Sequence, residues 1–91
     1  MAAVRLVISG RVQGVGFRAF VERQARRRAL RGWVRNRRDG TVETLLVGEN
    51  APLWEMEELC RRGPAFAAVS GVERHAAEDD GAEDFEQRPT E

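Results

Sequence analysis

Hydrophobic and polar positions along this 91-residue chain alternate with two different periods, and the changes of period mark its elements. Helical spacing of apolar residues runs from Phe17 to about Ala29, and a second helical stripe runs from Asn50 to the Gly63-Pro64 terminator. The strand-like runs are residues 3–9, 32–36, 41–47, 67–75 and a short final run at 85–88.

Local signals define how these elements begin, end and connect. Asp39-Gly40 predicts a tight hairpin, because both residues tolerate the left-handed conformation that such turns need. Asn50 is expected to cap the second helix, with Pro52 in its first turn. Gly71 marks a weak point in the fourth strand, where a bulge is expected.

The element order β-α-β-β-α-β predicts an α+β fold of the ferredoxin-like, split β-α-β type, with an antiparallel sheet and two helices on one face. The length suits a single domain over residues 1–91. Its core is expected at about 3–76, followed by an acidic, solvated loop at 78–84 and the short strand at 85–88. Residues 89–91 are expected to fray.

Composition narrows the class of protein. No apolar run is long enough to span a membrane, and the N-terminus lacks the apolar region of a signal peptide, so a cytoplasmic location is expected. The single cysteine, Cys60, has no partner for an internal disulfide.

Residues 1–48 hold eleven arginines and three acidic residues, whereas residues 49–91 hold four arginines and twelve acidic residues. The two halves either steer an anion toward the first one or interleave so that their fields cancel.

The segment Ser9 to Arg18 carries the main functional signal. It reads Ser-Gly-Arg-Val-Gln-Gly-Val-Gly-Phe-Arg and joins the first strand to the first helix. Glycines at this junction allow backbone N–H groups to converge on an anion, and the helix N-terminus adds partial positive charge. Arg18 would add a planar guanidinium suited to two phosphate oxygens. The segment therefore predicts a phosphate-binding loop.

Three motifs in sequence order resemble the acylphosphatases, small enzymes that hydrolyse the carboxyl–phosphate bond of acyl phosphates. The motifs are Gly10-Arg-Val-Gln-Gly-Val-Gly-Phe-Arg18, Gly32-Trp-Val-Arg-Asn36 and Asp39-Gly-Thr-Val-Glu43. The resemblance is strong over about residues 4–48 and looser through Gly63-Pro64. It implies a monomeric enzyme that acts on a small acyl phosphate.

The resemblance also implies the residues that do the chemistry. The phosphate-binding arginine falls on Arg18 and the catalytic asparagine falls on Asn36. The loop that holds the phosphate falls on Gln13, Gly14, Val15, Gly16, Phe17 and Arg18. Where many members have a small hydroxyl residue after the asparagine, this chain has Arg37, which either reaches the phosphate or points outward. The final strand is less apolar than is usual in the family.

The residue types in these motifs suit the hydrolysis of an acyl phosphate. A carboxylate leaves without a proton, so no general acid is required, and the motifs offer no Asp, Glu or His for that role. The phosphoryl group needs charge stabilisation and alignment, which backbone amides and Arg18 supply while Asn36 positions a water molecule. No cluster of ligating side chains predicts a metal, and no cofactor is expected.

Other interpretations remain open at this stage. The same scaffold could serve as a non-catalytic phosphate-binding or accessory domain, as in the carbamoyl-transfer proteins of hydrogenase maturation. RNA recognition motifs share the element order, but residues 40–47 lack the stacking aromatics that such modules need, so no nucleic-acid partner is expected. The run Arg26-Arg27-Arg28 is interpreted as a solvated helix face, His75 as a surface residue and Cys60 as part of the core.

Overall fold

The computed structural model describes all residues from 1 to 91. Five strands and two helices follow one another along the chain: β1 (Ala2–Arg11), α1 (Phe17–Arg27), β2 (Arg31–Asn36), β3 (Val42–Gly48), α2 (Asn50–Arg62), β4 (Ala68–Ala76) and β5 (Phe85–Gln87). Each predicted element is present, and the predicted ferredoxin-like α+β fold is confirmed. Neither helix has the length and apolar composition that a membrane span requires.

The strands form one sheet in the order β4-β1-β3-β2-β5. The four longer strands are antiparallel, as predicted, while β5 pairs in parallel with β2, so the complete sheet is mixed. A register shift opposite Ser9 and Gly10 leaves Ser70 as the extra residue of a bulge in β4. The bulge thus lies beside Gly71, where the sequence predicts it.

Both helices cover one face of the sheet, because alternate strand residues on that face are apolar. Val4, Leu6 and Ile8 of β1 are almost completely buried there. From the helices, α1 contributes Phe20 and Val21 to the same core cluster. Further members from α2 and β5 are Leu53, Met56, Cys60 and Phe85. The short strand β5 is therefore anchored by a fully buried phenylalanine despite its polar composition.

The face of the sheet away from the helices combines a small buried apolar cluster, Trp33, Leu45 and Val47, with paired polar groups. Glu43 is buried and accepts hydrogen bonds from Arg5 at 2.9 Å and from Arg35 at 2.8 Å. The Arg35 guanidinium also lies 4.6 Å from the centre of the Trp33 ring, and Arg88 lies 5.0 Å from it. These contacts satisfy the polar groups on the face of the sheet that no helix covers.

Three local predictions need correction. Helix α1 ends at Arg27 rather than near Ala29, because Ala29 is left-handed (φ 55°) and closes the helix with bonds from Ala29 N to Arg26 O and from Leu30 N to Ala25 O.

Asn50 does not cap α2. It is the first helical residue, and the extended residue before it, Glu49, makes no side-chain cap. The third helical residue is Pro52, which has no N–H, so one of the groups that a cap would satisfy is missing.

The expectation that residues 89–91 fray is also corrected. The backbone N–H of Glu91 donates to the carbonyl oxygen of Asn36 at 3.0 Å, and the N–H of Arg38 donates to the carbonyl oxygen of Glu91 at 2.8 Å. A side-chain ion pair of 2.7 Å joins Glu91 to Arg35. This tail therefore continues the edge of the sheet alongside the end of β2.

The charge asymmetry of the two halves is largely interleaved. Four ion pairs join an arginine of residues 1–48 to an acidic residue of residues 49–91: Arg26–Asp84, Arg28–Glu55, Arg31–Asp79 and Arg35–Glu91. Of the two sequence-based interpretations, the structure favours the one in which the halves compensate each other.

Candidate active site

Two glycines give the turn between β1 and α1 its shape. Gly14 and Gly16 have φ values of +72° and +80°, in the left-handed region that strains other residues. Gly16 directly precedes α1. A Cβ atom at either position would meet nothing within 4 Å. Backbone conformation, and not lack of space, therefore favours glycine here.

Backbone N–H groups in this turn are available to a ligand. None of those from Gln13 to Arg18 donates a hydrogen bond to a carbonyl of the chain, and the first bond of α1 runs from Phe20 N to Gly16 O at 3.0 Å. Consecutive free N–H groups around left-handed residues, next to the positive end of a helix dipole, form an anion-binding arrangement. The predicted phosphate loop thus has the donors that a phosphate needs.

A cleft of about 140 Å³ opens beside the turn. Its lining residues come from the turn, α1, β2 and β5: Val12, Gly14, Gly16, Phe17, Arg18, Ala19, Asn36 and Gln87. Three larger depressions, of about 470, 360 and 190 Å³, lie against the loop after β4, between α2 and the sheet, and beside the bulge in β4. None of them contains Arg18 or Asn36. The smaller cleft is the better candidate, because phosphate binding depends on converging donors rather than on volume.

The Arg18 side chain is half-buried and has no partner within the chain. It takes part in none of the ion pairs, although nine of the fifteen arginines do. Its position in the first turn of α1 places it on the wall of the cleft. A guanidinium with no internal carboxylate can offer its full fork of donors to an anion.

Asn36 is the last residue of β2 and lies across the cleft from the start of α1. Its backbone is held from two sides, by pairing with Val42 of β3 and by the hydrogen bond from Glu91. Its carboxamide has no hydrogen-bond partner in the chain and lines the cleft. The fold therefore brings Arg18 and Asn36, eighteen positions apart, to one small site.

Gln13 has a different position from the rest of the predicted loop. Its side chain does not line the cleft but donates hydrogen bonds to the carbonyl oxygens of Arg37 and Thr41. Only its backbone N–H is left to contribute to anion binding.

Gln87 also lines the cleft, although it lies outside the motifs from which the site was predicted. The sequence nevertheless indicates its orientation. Phe85, in the same strand, is a large apolar residue of the type expected in the core. Side chains two residues apart share a face of a strand, so Gln87 must face the helices as well.

Arg37 does not reach the cleft. Its guanidinium lies 3.7 Å from the carboxylate of Asp39 within the same hairpin turn. Of the two possibilities raised by the sequence, the structure favours the outward one. The extra cation next to Asn36 is consequently no part of the cleft wall.

Other chemically capable side chains lie elsewhere. Cys60 is buried in the core, and burial, with a smaller contribution from Glu57, raises the pKa of its thiol to about 12. Such a thiol is a poor nucleophile at neutral pH. His75 lies on β4 beside Glu73, at 3.3 Å. No group of three or more His, Cys, Asp or Glu side chains is arranged to hold a metal ion.

The chain matches known proteins over nearly its whole length. The acylphosphatase family model matches residues 4–87. An acylphosphatase from Acidiphilium cryptum is 48% identical over 90 residues, which cover 99% of each chain. The crystal structure of an acylphosphatase from Bacillus subtilis superposes with a TM-score of 0.93 at 38% identity and covers 97% of this chain and 99% of that one.

A second kind of solved structure contains the same fold as one part of a larger protein. The HypF protein of T. kodakarensis is 30% identical and superposes with a TM-score of 0.85, but the match covers only 12% of that chain. The family model, the identity to curated relatives and the Bacillus subtilis structure agree with one another. This chain belongs to the acylphosphatase family.

Proposed function

We propose that the protein hydrolyses acyl phosphates to a carboxylate and inorganic phosphate, with Arg18 and Asn36 as its catalytic residues. One observation carries the proposal. A single cleft combines an unpaired guanidinium, an unpaired carboxamide and a run of free backbone N–H groups. Membership of the acylphosphatase family supports the same reaction.

Arg18 and the loop N–H groups bind the phosphoryl group in this proposal. Backbone donors from residues 13–18 surround its oxygens, and the guanidinium neutralises charge that develops as the bond to the acyl oxygen breaks. These groups are already oriented before substrate binds, so little reorganisation is needed at the transition state.

Asn36 positions the attacking water molecule. A neutral carboxamide can hold water by hydrogen bonds but is too weak a base to deprotonate it. The water oxygen forms the new bond to phosphorus, and the acyl oxygen leaves with its bonding electrons as a carboxylate. The second water proton passes to a phosphate oxygen of the substrate itself. The products are one carboxylate and one dihydrogen phosphate ion, which balances atoms and charge without an enzyme acid or base.

Hydrolysis of benzoyl phosphate in the presence of EDTA tests this proposal. Turnover by the folded protein is expected, with release of benzoate and phosphate in equal amounts. EDTA removes divalent cations from the assay, so that turnover in its presence is independent of them. A folded sample with no turnover would refute the enzymatic role and favour the accessory phosphate-binding alternative.

We also propose that the active form is a cytoplasmic monomer. Support for the monomer comes from the cleft, in which Arg18, Asn36 and the loop all belong to one chain. Light scattering coupled to gel filtration, at the concentration of the activity assay, tests it. Fractionation of source cells tests the location.

A further inference from the structure

Glu22 is the acidic group closest in sequence to Arg18 along α1. It follows Arg18 by four residues, so the two side chains share a face of the helix. Oppositely charged residues at this spacing commonly pair. A Glu22–Arg18 ion pair would occupy the guanidinium that is proposed to bind phosphate.

The structure shows Glu22 engaged elsewhere. One carboxylate oxygen accepts a hydrogen bond of 2.8 Å from Nε2 of Gln87, and the other accepts one of 3.1 Å from Nε of Arg26. Both oxygens thus have hydrogen-bond donors other than Arg18. Arg18 remains without an ionic partner although a carboxylate stands one helical turn away.

Gln87 connects this carboxylate to the cleft. It lies on β5, and its side chain both lines the cleft and donates to Glu22. The hydrogen bond from Gln87 lowers the pKa of Glu22, and Arg26 lowers it further, while partial burial opposes both. Glu22 is therefore ionised at neutral pH and would compete with phosphate for Arg18 if it were released.

We infer that Gln87 is a positioning residue: its hydrogen bond occupies the Glu22 carboxylate, which then does not pair with Arg18, and so keeps that guanidinium available for phosphate. This inference rests on the proposed role of Arg18 in binding phosphate.

A double-mutant cycle with Gln87→Leu and Glu22→Gln tests the inference. The probe is inorganic phosphate, whose Kd is measured by NMR titration, together with KM and kcat for benzoyl phosphate. We expect Gln87→Leu to raise both Kd and KM about two- to fivefold, the range that an exposed ion pair on a helix supports. In the Glu22→Gln background the same substitution should change neither value, because no competing carboxylate remains. Gln87→Ala provides a second version of the cycle if leucine disturbs β5.

Two outcomes would overturn the inference. Equal weakening by Gln87→Leu in both backgrounds would show that Gln87 touches the ligand directly or acts only on the fold. Unchanged phosphate binding in Gln87→Leu would show that Glu22 does not compete. Failure of the proposed function has a different signature, since the wild-type protein itself would then neither bind phosphate nor hydrolyse benzoyl phosphate.

Discussion

The side-chain amide of Gln13 donates a hydrogen bond of 2.7 Å to the carbonyl oxygen of Arg37. The same nitrogen donates to the carbonyl oxygen of Thr41 at 2.9 Å. Gln13 belongs to the proposed phosphate loop, whereas Arg37 directly follows Asn36. One amide group therefore ties the loop that begins the site to the hairpin that completes it.

Substitution of Gln13 by Ala is expected to weaken both stability and activity. Loss of two partly buried hydrogen bonds should lower the free energy of unfolding by about 1–3 kcal/mol. Because the link sets the distance between loop and hairpin, kcat should fall as well. Urea unfolding and benzoyl phosphate turnover measure the two effects. Gln13→Leu keeps the bulk of the side chain but has no hydrogen-bond donor, so it should lower the free energy of unfolding and kcat in the same way. Normal kcat in a destabilised variant would limit Gln13 to holding the fold.

Substitution of Arg18 by Ala is expected to remove most activity while the protein stays folded. The guanidinium has no internal partner, so its loss leaves no buried charge unpaired. Loss of one transition-state donor costs about 3 kcal/mol, on the order of a hundredfold in kcat/KM. Arg23→Ala is the matched control, because Arg23 is an exposed arginine on the same helix without an ion pair. Similar kinetics for the two variants would argue against a special role for Arg18.

Substitution of Asn36 by Ala separates water positioning from phosphate binding. We expect kcat to fall by about a hundredfold with KM nearly unchanged, since the carboxamide is proposed to act on the water and not on the phosphate. The backbone bond from Glu91 to residue 36 does not depend on the side chain, so the tail should remain docked. A rise in KM at normal kcat would instead assign Asn36 to substrate binding.

Substitution of Arg37 by Thr tests whether the cation that directly follows Asn36 takes part in substrate binding. Because the Arg37 guanidinium faces Asp39 and lies outside the cleft, KM and kcat for benzoyl phosphate should stay within about twofold of the wild-type values. Steady-state kinetics at low ionic strength provide the most sensitive check, because screening is weakest there. A clear increase in KM would mean that Arg37 reaches the phosphate in the complex.

The loop before β5 should make part of the fold acid-sensitive. The backbone N–H of Phe85 lowers the pKa of Asp84 first and the guanidinium of Arg26 second, against a small opposing effect of burial. A carboxyl whose pKa is lower in the folded state stabilises the protein above its ordinary pKa, near 4, and this contribution disappears as the pH falls through the folded-state value.

Asp84→Asn should therefore lower the urea midpoint at neutral pH and change it less as the pH drops below about 4. Glu83→Gln is the control, since Glu83 is an exposed neighbour without an ion pair or hydrogen bond. Equal pH profiles for the two variants would contradict the prediction.

Much of the fold could be predicted because its signals are local. Alternating apolar residues define β1 and β3, Asp39-Gly40 defines the hairpin, and Gly14 and Gly16 define the turn before α1. Each of these preferences acts over a few residues and needs no information about distant parts of the chain. The failures at Asn50 and Ala29 were also local, and they concern only where helices begin and end.

The sequence by itself determined the strands, the helices and the glycine turn, since local backbone preferences and the burial pattern specify them. Only the tertiary structure decided which groups meet in the cleft. β5 pairs in parallel with β2, which brings Gln87 beside Arg18 and Asn36, and Glu91 binds the backbone of Asn36. These contacts join residues that are up to 69 positions apart, from Arg18 to Gln87. Such contacts depend on how the edge strand β5 is anchored to the core through Phe85. No local preference of the chain encodes that packing.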